Sequence, residues 1–484
     1  MRTTTILCLI AEAVLCSSSL IAQKLTVLPH TSSGIQTMWI TESAHHEFTR
    51  WLTAFNAPNQ EVYRAFLQKE FPTGTGRIAQ DLILRDNTGG FEVMRIEDES
   101  PTKITALLQE RAGDYFARIT FCIGGAAPYR ITSLEIIPIP RPTEFPLPHL
   151  SQRKLISELQ RRLHKSAETG RYSGAVLVAR EGRPIFANAY GLADRERRIP
   201  NTLNTCFGIA SMSKMFTGVA ILQLVESGNV RLNDPLERYL PDYPNKEMAA
   251  KVTISELLTN TGGTGDIWGP VFDQHHLELR TLADFVKVYG NRPLRFEPGS
   301  RWEYSNYGFI LLGRVIELVS GESYYNYMRK RIYDPAGMKA TGPKSQEKGA
   351  TECSIGYTRT GTGKWHRSDD TFVPGSPASV YSTVGDLLKF VNALREGKLL
   401  DTHYTQVLTA ARVKNPIGFD AYGFGVQTFN GTECFGHNGA SPGINGDLEI
   451  CNNSEYAVIS LANLDPPAAQ QISEFVINRI PQQN

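Results

Sequence analysis

What this chain lacks narrows its function first. Across 484 residues, 50 Lys and Arg stand against 49 Asp and Glu, so neither sign is in excess and the formal net charge is +1. Without a bulk field, neither nucleic acid nor anionic lipid is the expected partner. Beyond residue 22 no apolar run approaches the roughly 20 residues that span a bilayer, so no membrane span is expected. There is no Cys-x-x-Cys. A zinc site therefore has no support, and no metal or other cofactor is expected. What is present, 41% hydrophobic and 20% charged residues, suffices to fill more than one core. At roughly 150 residues per domain, the length allows two or three.

Residues 1–22 read as an export signal, with Arg2 at the start, an apolar stretch over 6–15 interrupted by Glu12, and Ala22 before the cut. The mature chain then begins near Gln23 and is secreted or periplasmic. Of seven cysteines, Cys8 and Cys16 fall in this signal, leaving Cys122, Cys206, Cys353, Cys434 and Cys451. Cys434 and Cys451 lie on neighbouring predicted strands. They are either a disulfide formed after export or two of several buried thiols.

Prolines at 138, 140, 142, 146 and 148 remove backbone donors and favour an extended, semi-rigid linker over 138–150. Before it, Trp39, Phe48, Trp51, Leu52 and Phe55 recur at helical spacing, and segments 91–97, 104–108, 115–121 and 131–137 carry alternating apolar residues. Residues 23–137 are thus expected to be a small α+β domain of two helices and an antiparallel meander. Residues 151–484 show a different order: strands at 174–179 and 184–190, a long mostly helical middle, strands at 422–429, 447–451 and 456–461, and a helix over 466–480. The expected fold class is α+β. Strands from both ends of this segment meet in one antiparallel sheet flanked by helices, and the helical middle forms a second lobe, with a site in the cleft between them.

Ser-x-x-Lys places a hydroxyl and an amine on one helix face. The spacing occurs at Ser151/Lys154, Ser211/Lys214 and Ser345/Lys348, so context must choose. Only Ser211 opens a nearly all-apolar helix, 215–225, of the kind that is buried centrally. The positive end of its dipole favours an oxyanion, and a partly desolvated Lys214 suits proton transfer. Read alone, the same pair is equally a helix-capping serine and a snorkelling lysine. Tyr-x-Asn also occurs three times, at Tyr243/Asn245, Tyr304/Asn306 and Tyr324/Asn326. Tyr304 alone follows a Glu-Pro-Gly-Ser turn and precedes an apolar helix, 309–319, leaving its side chain free to enter a cleft. A phenol acts as base near neutral pH only where a cation stabilises the phenolate, and Lys214 is the candidate cation. The third piece is His437-Asn438-Gly439 on a predicted edge strand. Gly439 allows close substrate approach, and the Ala440 amide joins that of Ser211 as an oxyanion hole. Gly439 to Gly443 also spells Gly-x-Ser-x-Gly, but Ser441 is followed by Pro442 and more strand rather than by the helix a nucleophile elbow needs.

Ser211-x-x-Lys214, Tyr304-x-Asn306 and His437-Asn438-Gly439, in this order, resemble the serine β-lactamase and penicillin-binding protein superfamily, in its class C β-lactamase-like branch. Stretches 174–179, 189–193, 257–263 and 381–386 support the likeness, which covers nearly all of 151–484 and none of the preceding segment. The resemblance implies a nucleophile at Ser211, proton handling by Lys214 and Tyr304, substrate hydrogen bonding by Asn306, and His437 lining the strand side. An exported hydrolase of a small ester, amide or peptide follows, working through an acyl-enzyme. The alternative is a non-hydrolytic penicillin-binding-type sensor or binder of cell-wall peptides, acylated but not turned over. Two departures stand out: His437 occupies the place where the superfamily's lactamases usually carry a carboxylate-binding lysine, and Asn260 the place where many relatives have histidine. A neutral imidazole holds an anion less well, so an esterase or a D-amino-acid peptidase is expected at least as much as a β-lactamase-like activity.

Overall fold

In the computed structural model, which describes residues 44–343, 353–360, 364–368, 379–451 and 455–481, the first described elements are helices α1 (Ala44–Asn56), α2 (Gln60–Glu70) and α3 (Ile78–Thr88). Residues 1–22, Trp39, Ser345 and Lys348 lie outside the described residues. The helices pack on an antiparallel meander of β1 (Phe91–Ser100), β2 (Lys103–Glu110), β3 (Phe116–Ile123) and β4 (Ile131–Ile139). Phe48, Trp51, Phe55, Leu82, Ile119 and Phe121 fill the space between the layers.

The sequence reading anticipated two helices here, and α3 is the third. Its inner face carries Asp81 and Arg85 beside Ile78 and Leu82, which breaks the apolar period. The fold satisfies both charges: Tyr63 Oη and Arg77 Nε each donate to Asp81 at 2.7 Å, and Arg85 donates to the Ala57 carbonyl. Strand β4 also runs through Pro138 to Ile139, two residues into the expected linker. It is an edge strand, where a missing backbone donor is tolerated.

The remaining chain supplies α4 (Gln152–Glu168), β5 (Gly174–Arg180), β6 (Arg183–Tyr190), α5 (Lys214–Glu226), α6 (Asn306–Ser320) and α7 (Val384–Arg395). Then follow β7 (Val413–Asn415), β8 (Gly418–Asp420), β9 (Gly425–Phe429), β10 (Thr432–Ser441), β11 (Ile444–Cys451), β12 (Tyr456–Ala462) and α8 (Gln470–Ile477). The sheet order is β7-β8-β9-β10-β11-β12-β5-β6. Strand β12 pairs antiparallel with β5 from Tyr456↔Arg180 to Ala462↔Gly174, joining the two ends of the segment as anticipated. Helices α4 and α8 cover one face through Leu155, Leu159, Ile472 and Val476. The helical lobe covers the other, centred on α5, whose Met215, Phe216, Val219 and Leu222 are buried on all sides. Cys434 and Cys451 form a disulfide across β10 and β11.

The first unit sits against α4 and α8. Arg479 clasps Asp114 through two bonds of 2.8 and 2.9 Å, Arg162 donates to the Ala112 carbonyl, and Gln471 reaches Glu110. Burial pushes the Glu110 carboxyl up to about 7, with Asp114 and Glu474 adding to the rise and Arg162 opposing it. Burial likewise pushes Glu474 up to about 7.

Candidate active site

Ser211 stands in a tight 3-10 turn, Ala210–Ser213, directly before α5. The chain enters that turn through Ala210 at φ 44°, a left-handed conformation that costs an alanine about 1 to 2 kcal/mol. The sheet holds the turn in place. Gly439 of β10 and Gly446 of β11 are register partners. A Cβ on Gly439 would lie 2.0 Å from the Ile209 carbonyl oxygen, and one on Gly446 2.5 Å from Met212 Sδ. Gly439 therefore admits the Ser211 turn onto the sheet, where the sequence reading had it admitting substrate. Ser213 holds the N-cap position of α5, and its hydroxyl donates back to the Ala210 carbonyl rather than capping the helix. The Ser211 hydroxyl is left for other partners.

Those partners come from two other elements. Lys214 Nζ, buried at the first residue of α5, donates to Ser211 Oγ at 3.1 Å and to Asn306 Oδ1 at 2.8 Å. Tyr304 Oη donates to Ser211 Oγ at 2.8 Å, and the ammonium lies 4.8 Å from the centre of the Tyr304 ring. Asn306 opens α6, and its backbone N–H and Nδ2 both donate to Asp266, at 2.9 and 3.2 Å. Burial raises the Asp266 pKa, opposed by these donors, by the Ile267 amide and by the Lys214 charge.

The Tyr304 loop is anchored on both sides. Ser305 caps α6 by accepting from the Gly308 amide. The Ser305 amide donates to Asn260 Oδ1 at 3.1 Å, while Asn260 Nδ2 donates to Asp420 Oδ2 at 2.7 Å. Trp302 Nε1 donates to the same oxygen at 2.8 Å. Asn260, at φ 56°, thus bridges the loop to strand β8.

Strand β10 contributes the fourth side. Its hairpin with β9 closes on Phe429↔Thr432, and their pairing extends only to Gly425↔Gly436, while β10 and β11 stay paired to Ser441↔Ile444. The alternation of an antiparallel ladder then directs the Asn438 and Ala440 amides toward an edge from which β9 has withdrawn. Ala440 is exposed; Ser211, Tyr304, Asn306 and His437 are half-buried. Burial pushes the His437 imidazole down to about 4, and the Lys214 ammonium adds to the fall. Its Nδ1 donates to the Asn438 carbonyl, leaving Nε2 as an acceptor.

A family model described as Beta-lactamase matches residues 153–478, which include every one of these side chains. The chain belongs to the beta-lactamase family. Within it, the chain is 28% identical over 301 residues to the putative penicillin-binding protein PbpX of Bacillus subtilis, covering 60% of this chain and 71% of that one. It is 34% identical over 221 residues to the esterase EstB of Burkholderia gladioli, covering 43% of this chain and 55% of the esterase. The crystal structure of a penicillin binding protein from Bacillus halodurans aligns with a TM-score of 0.56 at 33% identity, over 64% of this chain and 96% of that one. Membership of the beta-lactamase family makes the chain a serine hydrolase. The first unit, residues 44–139, falls outside the matched span.

The rival motifs have structural occupations in this beta-lactamase-family fold. Ser151 stands at the N-cap position of α4 without a side-chain capping bond, and Lys154 pairs with Glu158 on the helix surface. Tyr243 Oη meets Tyr307 Oη in the core, and Asn245 caps a short helix. Tyr324 Oη is bonded to Thr217. Ser441 ends β10 at a two-residue turn into β11, with no helix after it. Sequence reasoning missed Asp266 and Asp420, which no motif spacing flags, since each reaches the site only through another residue: Asp266 through Asn306, Asp420 through Asn260 and Trp302. Among the described residues no cluster of His, Cys, Asp and Glu is suited to hold a metal ion, and no helix is long and apolar enough to cross a membrane.

Proposed function

We propose that this protein is an exported hydrolase that cleaves a small ester or amide through an acyl-enzyme on Ser211. The observation that carries the reading is the double hydrogen bonding of Ser211 Oγ by Tyr304 and Lys214. In those contacts the phenol and the ammonium donate to Oγ, so the base is whichever of the two has given up its own proton; its contact then reverses and it takes the hydroxyl proton as Oγ attacks a carbonyl. As the Oγ–C bond forms, the carbonyl oxygen becomes an oxyanion facing the amides of Ser211 and Ala440. The abstracted proton then passes to the leaving alcohol or amine as its bond to carbon breaks. Water afterwards adds to the acyl carbon and frees the acid. Asn306, held by Asp266 and Lys214, is oriented to hydrogen-bond the substrate.

The substrate class follows from charge. His437 is uncharged above pH about 4, so the strand offers no fixed cation for a substrate carboxylate where lactamases usually present lysine. Neutral esters and D-amino-acid amides fit this wall better than β-lactams.

A panel of nitrophenyl esters, D-alanyl peptides and a chromogenic cephalosporin, with intact-mass spectrometry alongside, tests the proposal. The expected result is repeated turnover of esters, at least ~1,000-fold lower in Ser211→Ala. Full activity in that variant would discard the nucleophile. A stable adduct without product would replace the hydrolase with a sensor.

A further inference from the structure

We propose that Cys206 and Cys353 form a second disulfide, tying the strand that enters the Ser211 turn to a strap that also braces the hairpin bearing Ala440. The two sulfurs stand 2.7 Å apart. That is about 0.7 Å beyond the bonded length of roughly 2.05 Å, and inside the contact distance of two unbonded sulfurs. The two residues are partners in a parallel bridge, and the Ser354 amide donates to the Cys206 carbonyl at 2.8 Å. Their backbones already run side by side at a spacing a disulfide spans.

From Cys353 the strap continues across the molecule. The Ile355 amide bonds the Ala193 carbonyl at 2.8 Å, and the Tyr357 amide bonds that of Asn463 at 3.0 Å. Gly356 lies on the turn between β10 and β11, so close that a Cβ would meet the Gly443 carbonyl oxygen at 2.7 Å. Ser368 clamps the same turn, donating through Oγ to the Pro442 carbonyl and through its amide to that of Gly356. One brace therefore reaches the chain just before Ser211 at one end and the Ala440 hairpin at the other. The consequence for the two oxyanion donors rests on the proposed catalytic reading; the cross-link itself does not.

Bond formation joins the two thiols with loss of two protons and two electrons. A small-molecule disulfide such as oxidised glutathione accepts them and becomes two thiols. The Cys434–Cys451 bridge already in the fold suits the same oxidising surroundings.

The full chain, equilibrated with oxidised glutathione, is denatured without reductant, alkylated, digested and mapped by mass spectrometry. The expected map contains a Cys206–Cys353 peptide pair beside the Cys434–Cys451 pair, with Cys122 alkylated. Recovery of Cys206 and Cys353 as alkylated peptides would overturn the proposal. As a second measurement, the Cys206→Ser, Cys353→Ser double variant is expected to unfold at a lower temperature than the native chain in oxidising buffer, with the gap closing in reductant. Equal midpoints in oxidising buffer would also overturn it. Ester turnover separates the two readings: a linked peptide pair in a chain without turnover leaves the cross-link standing and removes the proposed function.

Discussion

Asn260 offers the sharpest test of how the site is held. Asn260→Ala removes the amide that donates to Asp420 and the oxygen that accepts from the Ser305 amide. The first is a bond to a charged group, worth about 1.5 to 3 kcal/mol, and the second leaves a buried N–H orphaned at a cost of about 1 to 3 kcal/mol. Alanine at φ 56° adds about 1 kcal/mol more. These terms overlap, so the expected loss of stability is about 3 to 5 kcal/mol, read by urea denaturation. Because Tyr304 precedes Ser305, its hydroxyl loses its fix on Ser211, and ester kcat falls about ten-fold or more. Asn260→His is the control. A neutral imidazole has one donor and one acceptor, so it can serve Asp420 and the Ser305 amide together, and histidine tolerates left-handed backbone. It should cost under about 1 kcal/mol and keep ester turnover. The reasoning fails if Asn260→Ala costs under about 1 kcal/mol with full activity, or if Asn260→His is as damaging as alanine.

Two further predictions concern pH. The His437 ring protons should titrate by NMR with a midpoint of about 4, lowered from 6.5 by burial and by Lys214. A lowered folded-state value means that His437 weakens the fold as pH drops from 6.5 toward 4 and contributes no inflection to ester rates between pH 5 and 8. A midpoint above 6 refutes this. Glu110 has the opposite sign: its folded-state value is raised from 4.5 to about 7, so stability is lost as pH rises through that window and stays lost above it. The shift is worth about 3 kcal/mol at most, and about 1 to 2 after allowance for solvent at this half-buried edge. Glu110→Gln should therefore raise the unfolding temperature at pH 8 and leave it unchanged at pH 4. An equal effect at both pH values would show that burial of the charge is not the cause.

The strands were legible wherever one face of the sheet is apolar and the other wet, as in the meander from Phe91 to Ile139. Legibility failed at α3, where Asp81 and Arg85 point inward and are satisfied by Tyr63, Arg77 and the Ala57 carbonyl. Periodicity sees only apolar residues, and here the inner face is partly polar. Gly439 was singled out for substrate approach, whereas the close approach seen at it is that of Ile209, distant along the chain and 2.0 Å from the missing Cβ.

By itself the order of residues determined the local chemistry: a hydroxyl and an amine one helical turn apart, an apolar helix that had to be buried, and a tyrosine on a turn-bounded loop. Which of three Ser-x-x-Lys and three Tyr-x-Asn pairs does chemistry was suggested by context, but the meeting of Ser211, Lys214, Tyr304 and Asn306 was decided only by the tertiary structure. So were the supports, Asp266, Asp420 and Asn260. Hydrogen bonds between side chains depend on positions in space, and residues 160 apart in sequence, such as Asn260 and Asp420, carry no trace of their pairing until the sheet and the helical lobe have closed on one another.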